Sequence, residues 1–271
     1  MTTDATTAPA AHAGPASSES PVLEVRNVWK LHKLGDEVVR ALVAADLTVT
    51  PGEFVCLMGP SGSGKSTLLN IIGGLDRPTK GSVTINGTDT STLTESQFAS
   101  LRHDVIGFIF QSYNLIPFLS AVENVELPLM FEPYDRKQLR SRALDLLEMV
   151  GLSHRVHHQP TKMSGGEQQR TAIARALVGN PRIILADEPT ANLDHRTGAT
   201  VVRMLRDLCS RLGVTVVAST HDPTVAEEAS RVVRMKDGQI VTEPAPPPLP
   251  ESASHPTSRG PQSPTDSAPE E

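Results

Sequence analysis

The sequence lacks most features of an extracellular or membrane-spanning chain. Only two of its 271 residues are cysteine, and aromatic residues make up 3%. We predict that Cys56 and Cys209 are small buried side chains in a reducing compartment, without a disulfide or metal role. No 18 consecutive residues are apolar, and the N-terminus lacks the basic start and apolar run of a secretory signal. We therefore expect a cytosolic chain without a transmembrane helix.

An excess of positive charge is also missing. The net charge is −6, of which residues 1–21 carry −2 and residues 243–271 carry −4, so residues 22–242 are neutral. A nucleic-acid-binding surface normally has a basic excess, so we expect no nucleic-acid partner. Both ends are rich in Pro, Ser, Thr and Ala and poor in large apolar side chains. This composition predicts disordered tails at 1–21 and 243–271.

A glycine-rich stretch carries the clearest functional signal. It fits the spacing G-x-x-x-x-G-K-[ST] and follows Phe54–Met58, a short apolar run that is typical of a strand. At such a strand-to-helix turn, backbone N–H groups converge on phosphate oxygens. The alternative, a flexible Gly/Ser loop, does not explain the strand and helix flanks. The residues predicted to contact a nucleoside triphosphate are Gly59, Pro60, Ser61, Gly62, Ser63, Gly64, Lys65, Ser66 and Thr67.

Strand-like and helix-like segments alternate over residues 22–242, which predicts an α/β fold with a parallel sheet. Strand patterns at 22–28, 38–42 and 81–87, with turns at Gly35-Asp36 and Asn86-Gly87, suggest a small antiparallel subdomain. We expect an inserted helical subdomain at about 94–160. Further strands are predicted at 54–58, 105–110, 182–186 and 214–219, a hairpin across 237–238, and helices at 94–103, 120–130, 135–150, 172–178, 196–212 and 223–229.

Polar residues follow three of the predicted strands. Asp187 and Glu188 end one apolar run, Gln111 ends another, and His221 follows a third. Adjacent carboxylates at a strand end point in different directions and can therefore divide two roles. Taken singly, each has a plainer interpretation: a solvated acidic strand end, a polar strand end, or an isolated loop histidine.

With Ser164-Gly165-Gly166 and Thr190–Asp194, these motifs make the chain resemble the nucleotide-binding subunits of ATP-binding-cassette (ABC) transporters over about residues 22–242. The stretches 58–70, 74–79 and 110–117 resemble the subgroup of lipoprotein-release, macrolide-export and cell-division ATPases. The resemblance implies a RecA-like P-loop NTPase core that hydrolyses ATP, with ATP and Mg²⁺ as ligands.

The resemblance also implies a role for each motif residue. Lys65 would reach the β- and γ-phosphates, while Ser66, Gln111 and Asp187 would hold Mg²⁺. Glu188 would act as general base on the attacking water, and His221 would touch the γ-phosphate and orient that base. The predicted catalytic set is therefore Lys65, Gln111, Glu188 and His221.

A second phosphate site is implied at Ser164, Gly165 and Gly166. Glycines before a helix leave backbone N–H groups open near a positive dipole end. In the family this motif faces the nucleotide of another subunit, so the chain is expected to form a dimer that encloses two ATP molecules between its copies. Residues 190–194 would cross that interface.

Three positions depart from the family's usual pattern. Met163 and Glu167 stand where Leu and Gln are commoner, and neither changes the expectation of ATP binding. His32 stands where an aromatic residue usually stacks on adenine. An imidazole can still stack but offers less area, so we predict weaker base selectivity, with Trp29 as the alternative stacking residue.

The resemblance implies a separate integral membrane permease as partner, docked to the helical insertion around Leu115–Met130. The chain would then lie at the cytoplasmic face of the membrane and drive export, lipoprotein release or force transmission. A regulatory ATPase of a cell-division complex, which moves no solute, is the alternative. A soluble ATPase acting on DNA, ribosomes or iron–sulfur assembly is a further class, but long coiled-coil inserts, tandem cassettes and cluster cysteines are missing.

Overall fold

Two β-sheets organise the residues that the computed structural model describes, which are 20–35 and 37–241. The predicted tails lie outside this part of the chain, except for residues 20 and 21. Asp36 of the predicted turn also lies outside it. The strands are β1 Leu23–Leu34, β2 Glu37–Val49, β3 Phe54–Met58, β4 Lys80–Ile85, β5 Thr88–Asp89, β6 Ile106–Ile109, β7 Ile183–Asp187, β8 Thr215–Thr220, β9 Arg231–Lys236 and β10 Gln239–Val241. The α-helices are α1 Lys65–Ile72, α2 Glu95–Val105, α3 Ala121–Glu126, α4 Arg136–Met149, α5 Gly165–Leu177, α6 His195–Leu212 and α7 Pro223–Glu228.

The larger sheet has the strand order β10, β9, β3, β8, β7, β6. Strands β9 to β6 are parallel, whereas β10 is antiparallel to β9. Alternate residues of β3 enter two different cores, because successive side chains on a strand point to opposite faces. Phe54 and Cys56 pack with residues of α3 to α6, while Val55 and Leu57 pack with α1 and the smaller sheet. The predicted parallel sheet, covered on both faces, is confirmed.

Both cysteines are free and buried, as predicted. Burial raises the pKa of the Cys56 thiol to about 12 and that of the Cys209 thiol to about 11. These thiols are therefore protonated near neutral pH and behave as small core side chains.

The smaller sheet is antiparallel, with the order β2, β1, β4, β5. Its first hairpin turns at Gly35, as predicted, although both strands are longer than the sequence pattern indicated. The sheet is joined to the larger one where the backbone N–H of Val43 donates to the carbonyl oxygen of Gly238, at 2.8 Å. This contact places β2 beside the glycine-rich loop.

The predicted helical insertion at about 94–160 contains one element of the central sheet. Strand β6 lies within that range and pairs in parallel with β7, so the all-helical stretch begins after β6. There, Asn124 of α3 is completely buried and donates to the carbonyl oxygens of Ile116, Leu119 and Ser120, each at 3.1 Å. Helix α3 is shorter than predicted and passes into a 3₁₀ turn at Leu127–Leu129, since Pro128 has no N–H to continue the helix. Within the described ranges, none of the helices combines the length and apolar character needed to cross a membrane.

Gly107 of β6 allows the close packing of β6 against α5, which can be tested by substitution. A Cβ atom at Gly107 would lie 2.4 Å from the carbonyl oxygen of Ala176, so we expect Gly107→Ala to lower the free energy of unfolding by about 1–3 kcal/mol. Gly198 of α6 is a matched control, because its Cβ would meet Thr190 at an ordinary 3.5 Å. Gly198→Ala should raise stability by about 0.4–1 kcal/mol. Urea unfolding of both variants measures the two effects, and equal shifts would contradict the packing argument.

Candidate functional site

The glycine-rich loop joins β3 to α1 and comes so close to neighbouring backbone that two positions require glycine. A Cβ atom at Gly59 would lie 2.2 Å from the carbonyl oxygen of Met235, and one at Gly64 would lie 2.6 Å from that of Ala41. Gly64 also has a φ of +99° and precedes the first residue of α1. The strand–loop–helix context that the sequence predicted is therefore present.

Lys65 is the cation of this loop. Its side chain is 6% exposed, and its Nζ donates to the carbonyl oxygens of Gly59 at 2.8 Å and Pro60 at 3.1 Å. Inside the loop, the hydroxyl of Ser63 is buried and has no hydrogen-bond partner among the described residues. A buried ammonium group, an unpartnered hydroxyl and backbone too crowded for a side chain fit the binding of phosphate oxygens.

The two adjacent carboxylates point to different partners. Asp187 at the end of β7 accepts hydrogen bonds from the hydroxyls of Ser66, at 2.9 Å, and Ser219, at 2.5 Å. The carboxylate of Glu188 lies 3.0 Å from Nδ1 of His221 and 3.8 Å from Nζ of Lys65. These contacts bring all six side chains together at one edge of the sheet.

The backbone of Glu188 is in the left-handed region, with a φ of +45°. Its N–H donates to the carbonyl oxygen of Ser219 at 3.1 Å and to the Ser219 hydroxyl at 3.2 Å. Ser219 thus positions both carboxylates, a role that the sequence analysis missed. A serine directly after the apolar residues 216–218 was the available signal.

Gln111 lies two residues beyond the end of β6 and is exposed. With the glycine-rich loop, Glu188 and His221, it lines a cavity of about 380 Å³. The sequence analysis also missed three residues of β2 in this lining, because the pairing of the two sheets is not visible in local patterns. The lining consists of Val39, Arg40, Ala41, Ser61, Gly62, Gly64, Lys65, Ser66, Thr67, Gln111, Glu188 and His221.

Ser164, Gly165 and Gly166 do not line that cavity within the described part of the chain. Ser164 caps α5, and the two glycines form its first turn, whereas the sequence analysis had placed them before the helix. Gly165 packs near the hydroxyl of Tyr113, and a Cβ atom at Gly166 would lie 2.5 Å from the methyl carbon of Thr197. The predicted second phosphate site therefore lies at a helix start apart from the cavity, where helix N-termini are able to bind anions.

Glu167 completes the cap of α5 and corresponds to one of the departures from the family pattern. Its carboxylate accepts from the backbone N–H of Ser164 at 2.8 Å and from Nε of Arg155 at 2.8 Å. Burial alone would raise the pKa of Glu167, but these hydrogen bonds hold it below its usual range. The glutamate is therefore charged near neutral pH and serves as a capping residue.

The two residues predicted to stack on adenine both lie on β1. His32 on β1 is exposed and pairs in register with Val39, which lines the cavity. The alternative residue, Trp29, is half-buried and donates from its ring nitrogen to Asn27 at 3.0 Å. Its register partner is Lys80 of β4, on the side of β1 away from β2. His32 therefore lies opposite a residue that lines the cavity, whereas the register partner of Trp29 lies on the other neighbouring strand.

Comparison with known proteins decides the family. The profile described as "ABC transporter" matches residues 42–191, more than half of the chain. The chain belongs to the ABC transporter family. An uncharacterised ABC transporter ATP-binding protein of Thermotoga maritima is 50% identical over 219 residues, which are 81% of this chain and 93% of that protein.

Two further relatives bear on the subgroup. The macrolide export ATP-binding/permease protein MacB of Wolinella succinogenes is 49% identical over 222 residues, 82% of this chain but 34% of that longer protein. The ATP-binding cassette MJ0796 of Methanocaldococcus jannaschii has been solved as a dimer in a post-hydrolysis state with ADP and phosphate. That structure has a TM-score of 0.75 and 48% identity, and the match covers 80% of this chain and 96% of that one. The chain is an ATP-binding, ATP-hydrolysing subunit of this family with the P-loop NTPase fold.

His32 provides a test at the adenine end of the site. If its ring stacks on the base, His32→Ala should weaken ATP binding by about 2- to 10-fold, because a ring–ring contact is lost. Lys33→Ala is the control, since Lys33 is the next residue of β1 and also exposed. Equilibrium titration with a fluorescent ATP analogue measures both affinities. Unchanged binding by His32→Ala would remove His32 from the site.

Proposed function

We propose that two copies of the chain close around two ATP molecules, each held between the glycine-rich loop of one copy and Ser164–Gly166 of the other. The observation that carries this proposal is that the two anion sites of one chain do not share a cavity. The Ser164 hydroxyl accepts from the N–H of Glu167, but the N–H groups of Gly165 and Gly166 have no acceptor within the helix and can donate to an anion from elsewhere. The solved dimer of the MJ0796 cassette supports a dimer of this chain.

We further propose that the site uses Mg²⁺. The hydroxyl of Ser66, the carboxylate of Asp187 and the side-chain amide oxygen of Gln111 are hard oxygen ligands of the kind that Mg²⁺ prefers. Bound there, the ion would neutralise charge on the phosphates. Within the protein, the bond from Ser219 fixes the carboxylate of Asp187 towards Ser66.

Hydrolysis in this proposal depends on Glu188 as general base. Its side chain is only 13% exposed, and Nζ of Lys65 and Nδ1 of His221 lie on either side of its carboxylate. The carboxylate can accept a proton from water, while His221 holds it in position and Lys65 offsets its charge. His221 itself is 64% exposed and can therefore also reach a γ-phosphate at the mouth of the cavity.

The partner that ATP binding and hydrolysis would drive is a separate integral membrane permease. Bound to that permease, the chain would lie at the cytoplasmic face of the membrane. The helical insertion exposes large apolar side chains, among them Phe118 at 74% and Phe131 at 89%. Exposed aromatic residues of this kind mark interaction surfaces. The MacB relative is named as an ATP-binding and permease protein in one longer chain, which supports such a partner.

The substrate follows from the subgroup only as a class: a macrolide-type compound for export, a lipoprotein for release, or force transmitted across the membrane. A cell-division complex that uses the ATP state without moving a solute is the alternative function. Neither the transport function nor the cell-division function involves nucleic acid as a partner.

Glu188→Gln tests the dimer and the base together. The amide keeps the shape of the side chain but cannot accept the proton, so kcat should fall by about 10²- to 10⁴-fold while ATP binding is retained. In saturating ATP and Mg²⁺ the variant should elute as a dimer in size-exclusion chromatography. Lys65→Ala is the control that should lose ATP binding and remain monomeric. A monomeric Glu188→Gln protein with bound ATP would contradict the proposed dimer.

Capture of membrane proteins tests the permease. The tagged full chain should retain a polytopic membrane protein from detergent-solubilised membranes, and Phe118→Glu with Phe131→Glu should abolish that capture, because a charge cannot enter an apolar contact without cost. Met149→Glu is the control, since Met149 is also an exposed apolar residue but lies on α4. Recovery of ribosomes or DNA with the wild-type chain would overturn the proposal.

A further inference from the structure

The loop that follows β6 contains two consecutive residues in a backbone conformation that side chains disfavour. Tyr113 has a φ of +61° and Asn114 a φ of +51°, both in the left-handed region. Asparagine adopts this region fairly readily, but tyrosine does so rarely, because its Cβ atom crowds the backbone. Such a pair persists only where neighbouring groups hold it in place.

The group that holds these two residues in place is the guanidinium of Arg175, on helix α5. One terminal nitrogen donates to the carbonyl oxygen of Tyr113 at 2.7 Å, and the other donates to the carbonyl oxygen of Asn114. A planar guanidinium matches two neighbouring acceptors, which a lysine ammonium cannot do with the same geometry. Arg175 therefore clamps both left-handed residues at once.

Within residues 20–35 and 37–241, Arg175 has no carboxylate partner that would give it a different role, and its hydrogen bonds go to backbone carbonyl oxygens. Burial lowers the pKa of its guanidinium. Removing a cation from water costs free energy when backbone carbonyl oxygens are its only partners. Stability alone therefore does not account for this arrangement.

A second contact ties the same loop to the turn at 190–194. The side-chain amide of Asn192 donates to the carbonyl oxygen of Gln111 at 2.8 Å, and the hydroxyl of Tyr113 donates to the carbonyl oxygen of Asn192 at 3.3 Å. Tyr113 also packs against Gly165, at the start of α5. The loop thus meets α5 at both the first turn and Arg175.

We propose that Arg175 is a positioning residue for ATP hydrolysis: it fixes the loop 111–114 so that Gln111 enters the catalytic cavity, and it makes that placement depend on α5. The inference rests on the proposed role of Gln111 in the site. Within the described residues Arg175 does not line the cavity, so its effect would pass through the loop.

The chain offers a matched control for a purely structural role. Arg142 of α4 also donates to two consecutive carbonyl oxygens, those of Val178 at 2.6 Å and Leu177 at 3.3 Å. Both of these acceptors lie at the C-terminal end of α5, and neither belongs to the loop of Gln111. Removal of Arg142 should therefore lower stability without a selective effect on hydrolysis.

The experiment compares Arg175→Met, Arg175→Lys, Arg142→Met and Gln111→Ala in the full chain. For each we would measure the thermal unfolding midpoint, ATP affinity in EDTA, and kcat with Mg²⁺. Arg175→Met should keep its ATP affinity in EDTA within about twofold of wild type while kcat falls by about tenfold or more. Arg175→Lys should recover part of that loss. The Arg175→Met and Gln111→Ala double variant should be no slower than the slower single variant, because both changes act through one group.

Two outcomes would overturn the inference, and they are distinguishable. If Gln111→Ala lowers kcat but Arg175→Met lowers it no more than Arg142→Met at a matched unfolding midpoint, Arg175 is only a structural residue. If Gln111→Ala leaves kcat unchanged, the proposed role of Gln111 fails and the inference fails with it. In neither case is the ATPase activity of the wild-type chain in question.

Discussion

The register of three neighbouring parallel strands determines where the chemistry of this protein takes place. β8 lies between β3 and β7, with Met58 opposite Thr220 and Asp187 opposite Ser219. Because parallel strands end at the same edge of a sheet, this register brings the glycine-rich loop, both carboxylates and the segment with His221 to one edge. A shift of one residue would turn Asp187 to the opposite face and break its bonds to Ser66 and Ser219. The burial of both faces of these strands excludes such a shift.

Much of this edge could be predicted from the sequence, because its parts have local patterns. Phe54–Met58 is a strand with the predicted bounds, and the apolar run before Asp187 is the buried strand β7. The contribution of β2 could not be predicted, since it depends on the contact between Val43 and Gly238, residues far apart in the sequence. The strand at 105–110 was predicted and is β6, but its pairing with β7 depends on residues far apart in the sequence and could not be predicted.

Among the non-glycine residues with a left-handed backbone, Glu188 and Tyr113 belong to the two segments that line or adjoin the cavity. A left-handed conformation costs roughly 1–2 kcal/mol for a residue other than glycine. Glu188 is held in it by the two bonds from its N–H to Ser219, and Tyr113 is held by Arg175. Strain that is balanced by only a few contacts can be released when those contacts move. Helix α5 carries Arg175, which makes one of these contacts. The position of α5 and the conformation of the loop 111–114 are therefore physically connected.

The proposed mechanism gives the exposure of His221 a physical consequence. Glu188 is nearly buried, but His221 beside it is 64% exposed, so the pair is open to solvent on one side. Hydrogen bonds and charges act more strongly once solvent is excluded. In the proposed dimer the second copy covers this opening and presents its own helix start to the phosphate. Closure would then supply both the missing donors and the low-dielectric surroundings, which couples hydrolysis to association of the two copies.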